Sequence, residues 1–366
     1  MLGIVALVMA RSRFFKYFPT PAYLEMAAVG VDVVGHTIRY LEFDQTKPAL
    51  EVKRFGSHPI PVGAVTNGDI VNKEGLITAL SSLQKELGAH FVHVALPEEK
   101  AFVFKTEIPK VEKKEIRGAI ELLLEENVPI KPQEAIFDYE VVNNQNKEHL
   151  DVSVSAVTEK TVFDFLELFE QAGFSPLLFE VDAQAAARSI VPKGDMRTFI
   201  ILNIGAARTT LSVVSEGVTY FSSTVAVGGA ALSSSIMKYM KCSPEKAEEE
   251  KYAKGIIGTK KDMELFFSLM SSLSVLRDEA KRLLGYWQNL RRLKPALADV
   301  SLVYLAGKDA SLPGLVDYFS LTMKAPVLLA NVWVNTGTLI QNVPPIFFEE
   351  SLDYAVAIGL AMPKTD

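Results

Sequence analysis

The chain has 366 residues, of which 49% are hydrophobic and 22% charged, a balance that can bury a core and excludes wholesale disorder. Its length exceeds one ordinary hydrophobic core, so two domains are expected. The net charge of -6 leaves no basic footprint for nucleic acid, and Cys242, the single cysteine, excludes an internal disulfide or a multi-cysteine metal site and fits a reducing cytoplasm.

The N-terminal run MLGIVALVMA is apolar but too short to span a bilayer, and Arg11, Arg13 and Lys16 follow it, the reverse of a secretory signal. Residues 1–25 read as a disordered extension, within which RSRFFKYF interleaves bases and aromatics as a segment lying on an anionic membrane surface would. The sequence holds no run of about 18 apolar residues, so membrane attachment is expected to go through a partner. With no Gly/Ser-rich linker either, the halves are expected to be knitted together by chain crossings.

From Ala28 the chain reads as a strand ending at Asp32, a tight turn at Val34 to Thr37, a second strand, a polar turn and a third strand. The helical pattern KEGLITALSSLQKEL follows. Residues 95–159 then form an α+β insertion: AFVFKTEIP, the helix KKEIRGAIELLLEENV, and strands near Ile136 to Val142 and in LDVSVSAVT. Residues 26–94 and 160–195 are expected to make the first domain core.

The second domain is expected over 196–362, and it opens with the same order. TFIILNI ends a strand near Asn203, Gly205 to Arg208 turn, a strand follows, Glu216 and Gly217 turn, and another strand leads to the helix AALSSSIMKYM. Duplication of one unit around a crevice is the economical account; two hairpin-rich halves arising by coincidence is the alternative. A helical subdomain is expected over about 243–298, with Ser243 and Pro244 as cap and first residue, and with Phe266, Leu269, Leu273, Leu276, Leu283 and Trp287 as a buried stripe. The acid–base run EKAEEEK has the spacing of a solvated helix face.

Tight turns whose N–H groups converge can cradle phosphates, and a nearby carboxylate can hold magnesium through water. Three turns qualify: Asp32 with Gly35, His36 and Thr37; Gly205 with the hydroxyls of Thr209 and Thr210; and Gly307 in YLAGKDASLPGL, a strand running through a loop to a helix N-terminus. Glycine in a turn is ordinarily only a turn, so their weight lies in their order. His90 and His93 fall on opposite faces of one strand and cannot chelate together. Neither HExxH, GxSxG nor a Walker loop occurs, and Ser235 with Lys238 matches a spacing that chance supplies.

These turns, together with Val227-Gly228-Gly229 and EVDAQAAARSI, resemble in order the phosphate loops, adenosine segments and connector of the actin, heat-shock chaperone and sugar kinase superfamily. FPTPAYLEMAAVGVD, NGDIVNKEGL, HVALPEE, EIPKVEKKEIRGAIE, VAVGG, KAEEEKY, YLAGKDASLPGL and YAVAIGLAM narrow this to a resemblance to the PilM family of type IV pilus assembly proteins, from Phe18 to Met362. The resemblance implies an α/β, actin-like (ribonuclease H-like, duplicated) fold with a subdomain like that of the division protein FtsA. It also implies ATP and magnesium in the crevice, with Asp32, Gly35, His36, Thr37, Asn203, Gly205, Thr209 and Thr210 on the phosphate side. Gly228, Gly229, Lys251, Lys281, Arg282, Gly307 and Lys308 would face base or ribose. The implied partners are the cytoplasmic tail of a PilN-like protein, other platform and motor proteins, and further copies of the chain. The implied location is cytoplasmic, peripheral to the inner membrane.

Departures from the superfamily pattern argue against efficient hydrolysis. Val34 stands where a glycine is usual, Asn203 where an aspartate is usual, and Lys308 with Asp309 where glycines continue. An adaptor is therefore expected ahead of an actin-fold ATPase or small-molecule kinase. An FtsA-like filament scaffold would end in a membrane-binding helix, whereas this chain ends GLAMPKTD.

Overall fold

The computed structural model describes residues 27–44, 49–142, 148–259, 263–337 and 343–363; the expected N-terminal extension lies outside the described residues. The first half comprises β1 (Val29–Val34), β2 (Thr37–Asp44), β3 (Glu51–Pro59), the small hairpin β4 (Val65–Thr66) and β5 (Asp69–Ile70), α1 (Lys73–Leu87) and β6 (Phe91–Leu96). Then come β7 (Ala101–Pro109), α2 (Ile116–Asn127), β8 (Ala135–Val141), β9 (His149–Thr158), α3 (Glu159–Gln171), β10 (Ser175–Val181) and α4 (Asp182–Ile190). The second half runs through β11 (Thr198–Ile204), β12 (Thr209–Ser215), β13 (Val218–Val225), α5 (Gly229–Met240), α6 (Pro244–Thr259), α7 (Met263–Leu293) and β14 (Val300–Ala306). It closes with α8 (Leu315–Ser320), β15 (Val327–Leu329), α9 (Phe348–Ser351) and α10 (Ala355–Ala361).

The two halves repeat one topology. The first sheet has the order β10-β6-β1-β2-β3, and the second sheet begins β15-β14-β11-β12-β13. In each, an antiparallel meander is extended from its first strand by two parallel strands. Turn chemistry sets the registers. Gly35, at φ +61°, is the first central residue of the two-residue β1–β2 turn, while Glu216 and Gly217, at φ +55° and +80°, pair Ser215 with Val218. Asp32 does not end its strand; β1 continues to Val34, which pairs with Thr37. Asn72 caps α1 by accepting from Gly75 N, and Ser243 Oγ accepts from Lys246 N at the start of α6. The α7 stripe is core: Leu269, Leu273, Leu276, Leu283 and Trp287 are buried, and Phe266 packs against them.

The insertion differs from its expected attachment. Sequence order makes it a module of the first half, yet β7, β9 and β8 continue the second half's sheet through the Phe221–Phe104 pairing. Strand alternation explains how β7 serves both halves: Ala101 and Val103 enter the first half's core, while Phe102 and Phe104 face the insertion's own core around Ile120 and Leu124. At this seam Lys105 Nζ lies 2.7 Å from Glu216 and 2.9 Å from Asp151, and the Tyr220 hydroxyl donates to Glu216 at 2.6 Å. Tyr220→Phe removes this bond and the one the hydroxyl accepts from Lys105, and should cost about 1 to 2 kcal/mol in urea unfolding. A change within error would mean that the Tyr220 hydroxyl adds nothing to the seam.

Candidate nucleotide crevice

Asp32 is buried in the first half's sheet. Its position in the middle of β1 makes it the cross-strand neighbour of Arg39, whose Nη2 lies 2.7 Å from Asp353. Burial, partly countered by Arg39, pushes the Asp32 carboxyl up from 3.8 to about 6, and Asp182 adds to the rise. Gly35 has open space around its α-carbon, and His36 is exposed at the turn.

The second turn is longer and is closed by its own backbone. Ile204 pairs with Thr209 across residues 205–208, where the β1–β2 turn has only Gly35 and His36. Gly205 N donates to Arg208 O at 2.9 Å, Gly229 N to Gly205 O at 3.0 Å and Ala230 N to Ala206 O at 2.8 Å. One N–H of the turn and two at the start of α5 are thus bonded to carbonyls. Thr209 Oγ1 donates to Val227 O at 2.8 Å, and Thr210, opposite Asn203, is buried. A side chain at 228 would strike Gly205 O, and one at 307 would strike Ile204 O and Asn203 Oδ1, so glycine is required where these loops touch.

The Asp309 carboxylate packs against the first residue of α5, whose N–H groups are bonded to backbone carbonyls. A Cβ on Gly229 would lie 1.8 Å from its Oδ2, and the residue is 1% exposed. Lys251 Nζ lies 2.6 Å from Asp309 Oδ1 and 3.0 Å from Glu248, and Tyr252 donates to Asp309 at 3.0 Å. Lys251 is therefore engaged inside the protein. Lys308 lies 3.7 Å from Glu248; Lys281 and Arg282 are exposed on α7, where Arg282 Nε donates to Glu279 at 2.8 Å.

Four carboxyls meet beneath the turns: Asp32, Asp182 at the first residue of α4, and Glu98 and Glu99 in the turn between β6 and β7. Arg208 reaches them from the second half, with Nη1 2.7 Å from Glu99 and Nη2 3.1 Å from Asp182. Ser222 of β13 donates to Glu98. Burial pushes the Glu98 and Asp182 carboxyls upward, and each has a buried oxygen with no donor from the protein. The carboxyl oxygens do not all come within metal-ligand reach of one another, and the cation they hold is Arg208. Arg208, Glu98, Glu99 and Asp182 escape a reading of the sequence alone; the only local signal is the length of the 205–208 turn. Glu107, His149 and Asp151 also converge, but Lys294 pairs with Glu107 and Lys105 with Asp151, which accounts for their charge.

A duplicated five-strand unit with paired turns over a crevice defines a protein of the actin-like class. Within that class, the family model described as "Type IV pilus assembly protein PilM" matches residues 30–365, and the chain belongs to that family. Solved structures agree on the fold. A chain of a PilM-PilN type IV pilus biogenesis complex is similar at 23% identity, TM-score 0.74, with 92% of this chain and 97% of that one covered. MreB5 of Spiroplasma citri bound to ADP is similar at 13% identity, TM-score 0.56, covering 93% and 95%. The ethanolamine utilization protein EutJ from Carboxydothermus hydrogenoformans is similar at 17% identity, TM-score 0.52, covering 94% and 90%. Among the described residues no helix is long and apolar enough to cross a membrane.

Proposed function

We propose that this protein is a platform adaptor of type IV pilus assembly that binds the cytoplasmic tail of a PilN-like inner-membrane protein. The observation that carries this is the insertion, whose first strand enters the first half's core while its sheet continues the second half's. A scaffold needs a second binding surface more than it needs an attacking water. Asn203 removes a charge that would order such a water, and Val34 stands where backbone usually approaches phosphate, so catalysis is not the function favoured here. ATP with magnesium is a ligand of this crevice only after Arg208 and the 205–208 turn move. The solved PilM-PilN complex supports the choice of partner, and the ADP-bound MreB5 supports the choice of crevice ligand.

The tail is proposed to lie where α3 meets β8, because Phe163 and Ile136 on these elements are 48% and 38% exposed. Fluorescence anisotropy with a labelled peptide from the cytoplasmic end of the PilN-like protein tests this. Phe163→Asp should weaken binding at least about tenfold with little change in thermal midpoint, as expected for a partly exposed anchor. Unchanged affinity in a folded variant would rule this groove out. No affinity in the wild type would remove the partner itself.

A further inference from the structure

We infer that Arg208 is an internal latch, the resident cation of the crevice, which holds the two halves together without a ligand and ties the crevice to the insertion. The inference goes beyond the adaptor reading, since it concerns the ligand-free chain. The β11–β12 turn has four residues where the corresponding β1–β2 turn has two, and its last residue crosses the crevice. Arg208 is 14% exposed at its side chain, and both its contacts lie outside its own half. Asp182 begins the α4 helix of the first half; Glu99 stands two residues before β7, the strand that joins the insertion to β13. One guanidinium therefore fixes a helix start and the first strand of the insertion together.

The electrostatics make the arrangement two-state. With Arg208 in place, Glu99 and Asp182 are each paired; without it, they face Asp32 and Glu98, and the remaining cation beside Asp32 is Arg39, which Asp353 occupies. Removing one partner of a buried pair leaves the others uncompensated, so the contact should open rather than merely weaken. An anionic ligand arriving at the turn would draw the guanidinium away from Glu99 and Asp182, giving the crevice a mechanical link to β7.

Hydrogen exchange of the full-length, ligand-free protein tests this. Arg208→Gln should raise exchange about tenfold or more in peptides spanning residues 98–104 and 182–190, with α1 (residues 73–87) unchanged, because the opening is local. Arg208→Lys should restore part of the protection. If Arg208→Gln does not fold, Glu99→Gln carries the test, with faster exchange expected over 98–104 only. Wild-type exchange over 98–104 in the folded variant, or an increase spread evenly over the chain, would overturn the latch. Failure of the tail peptide to bind would leave this result untouched.

Discussion

Replacing Gly359 with valine is expected to cost more than about 4 kcal/mol, the range reserved for changes that a packed core cannot absorb. The helices α4 and α10 cross beneath the crevice, and a Cβ on Gly359 would lie 1.8 Å from Ala185 O and 2.5 Å from Ala185 C. Backbone occupies the space, so no rotamer change relieves the contact. The helices would have to part, breaking the 2.8 Å bond from Arg188 Nη1 to Gly359 O and exposing Ala355 to Leu360, which are now buried. Gly118 is the control: it is exposed within α2 with nothing within 4 Å of an added Cβ. Gly118→Ala should gain about 0.5 to 1 kcal/mol, the usual helix-interior difference. Urea unfolding of both variants decides the matter; a Gly359→Val midpoint equal to wild type would mean that the two helices can separate at little cost.

Asp32→Asn is expected to make the protein more stable at neutral pH. The carboxyl is held at about 6 in the folded chain against 3.8 when free. The folded state thus binds the proton more tightly. Its contribution is complete below 3.8, falls as pH climbs through about 6, and is flat above that. The rise from 3.8 to about 6 is worth about 3 kcal/mol, an upper figure because the amide also gives up attraction to Arg39 and Arg208. Glu98 and Asp182 are raised as well, so the measured slope belongs to the group together. Unfolding between about pH 5 and 8 should show wild-type stability falling and the Asp32→Asn curve flatter and higher at the neutral end. A less stable variant at pH 7.5 would show that the arginines more than offset the burial of this charge.

Much of the fold is legible in the sequence because its determinants are local. Alternation in the two meanders, Gly35, Gly217, the Ser243 cap and the 3.6-residue stripe ending at Trp287 each act within a few residues, and each produces the element expected. The order of glycine turns also points to the crevice. Its interior is not legible, for the expected nucleotide lysine at 251 is held by Asp309, and that pairing joins residues far apart in sequence.

By itself, then, the sequence determined two strand–turn–strand halves, an inserted α+β unit and the family, because period, turn chemistry and motif order are written along the chain. Only the tertiary structure decided which sheet edge received the insertion, that Asp309 pairs with Lys251, and that Arg208 spans to Glu99, a contact 109 residues apart. Strand edges and ion pairs are satisfied by whatever the folded backbone brings near, and nothing in a local window specifies the partner.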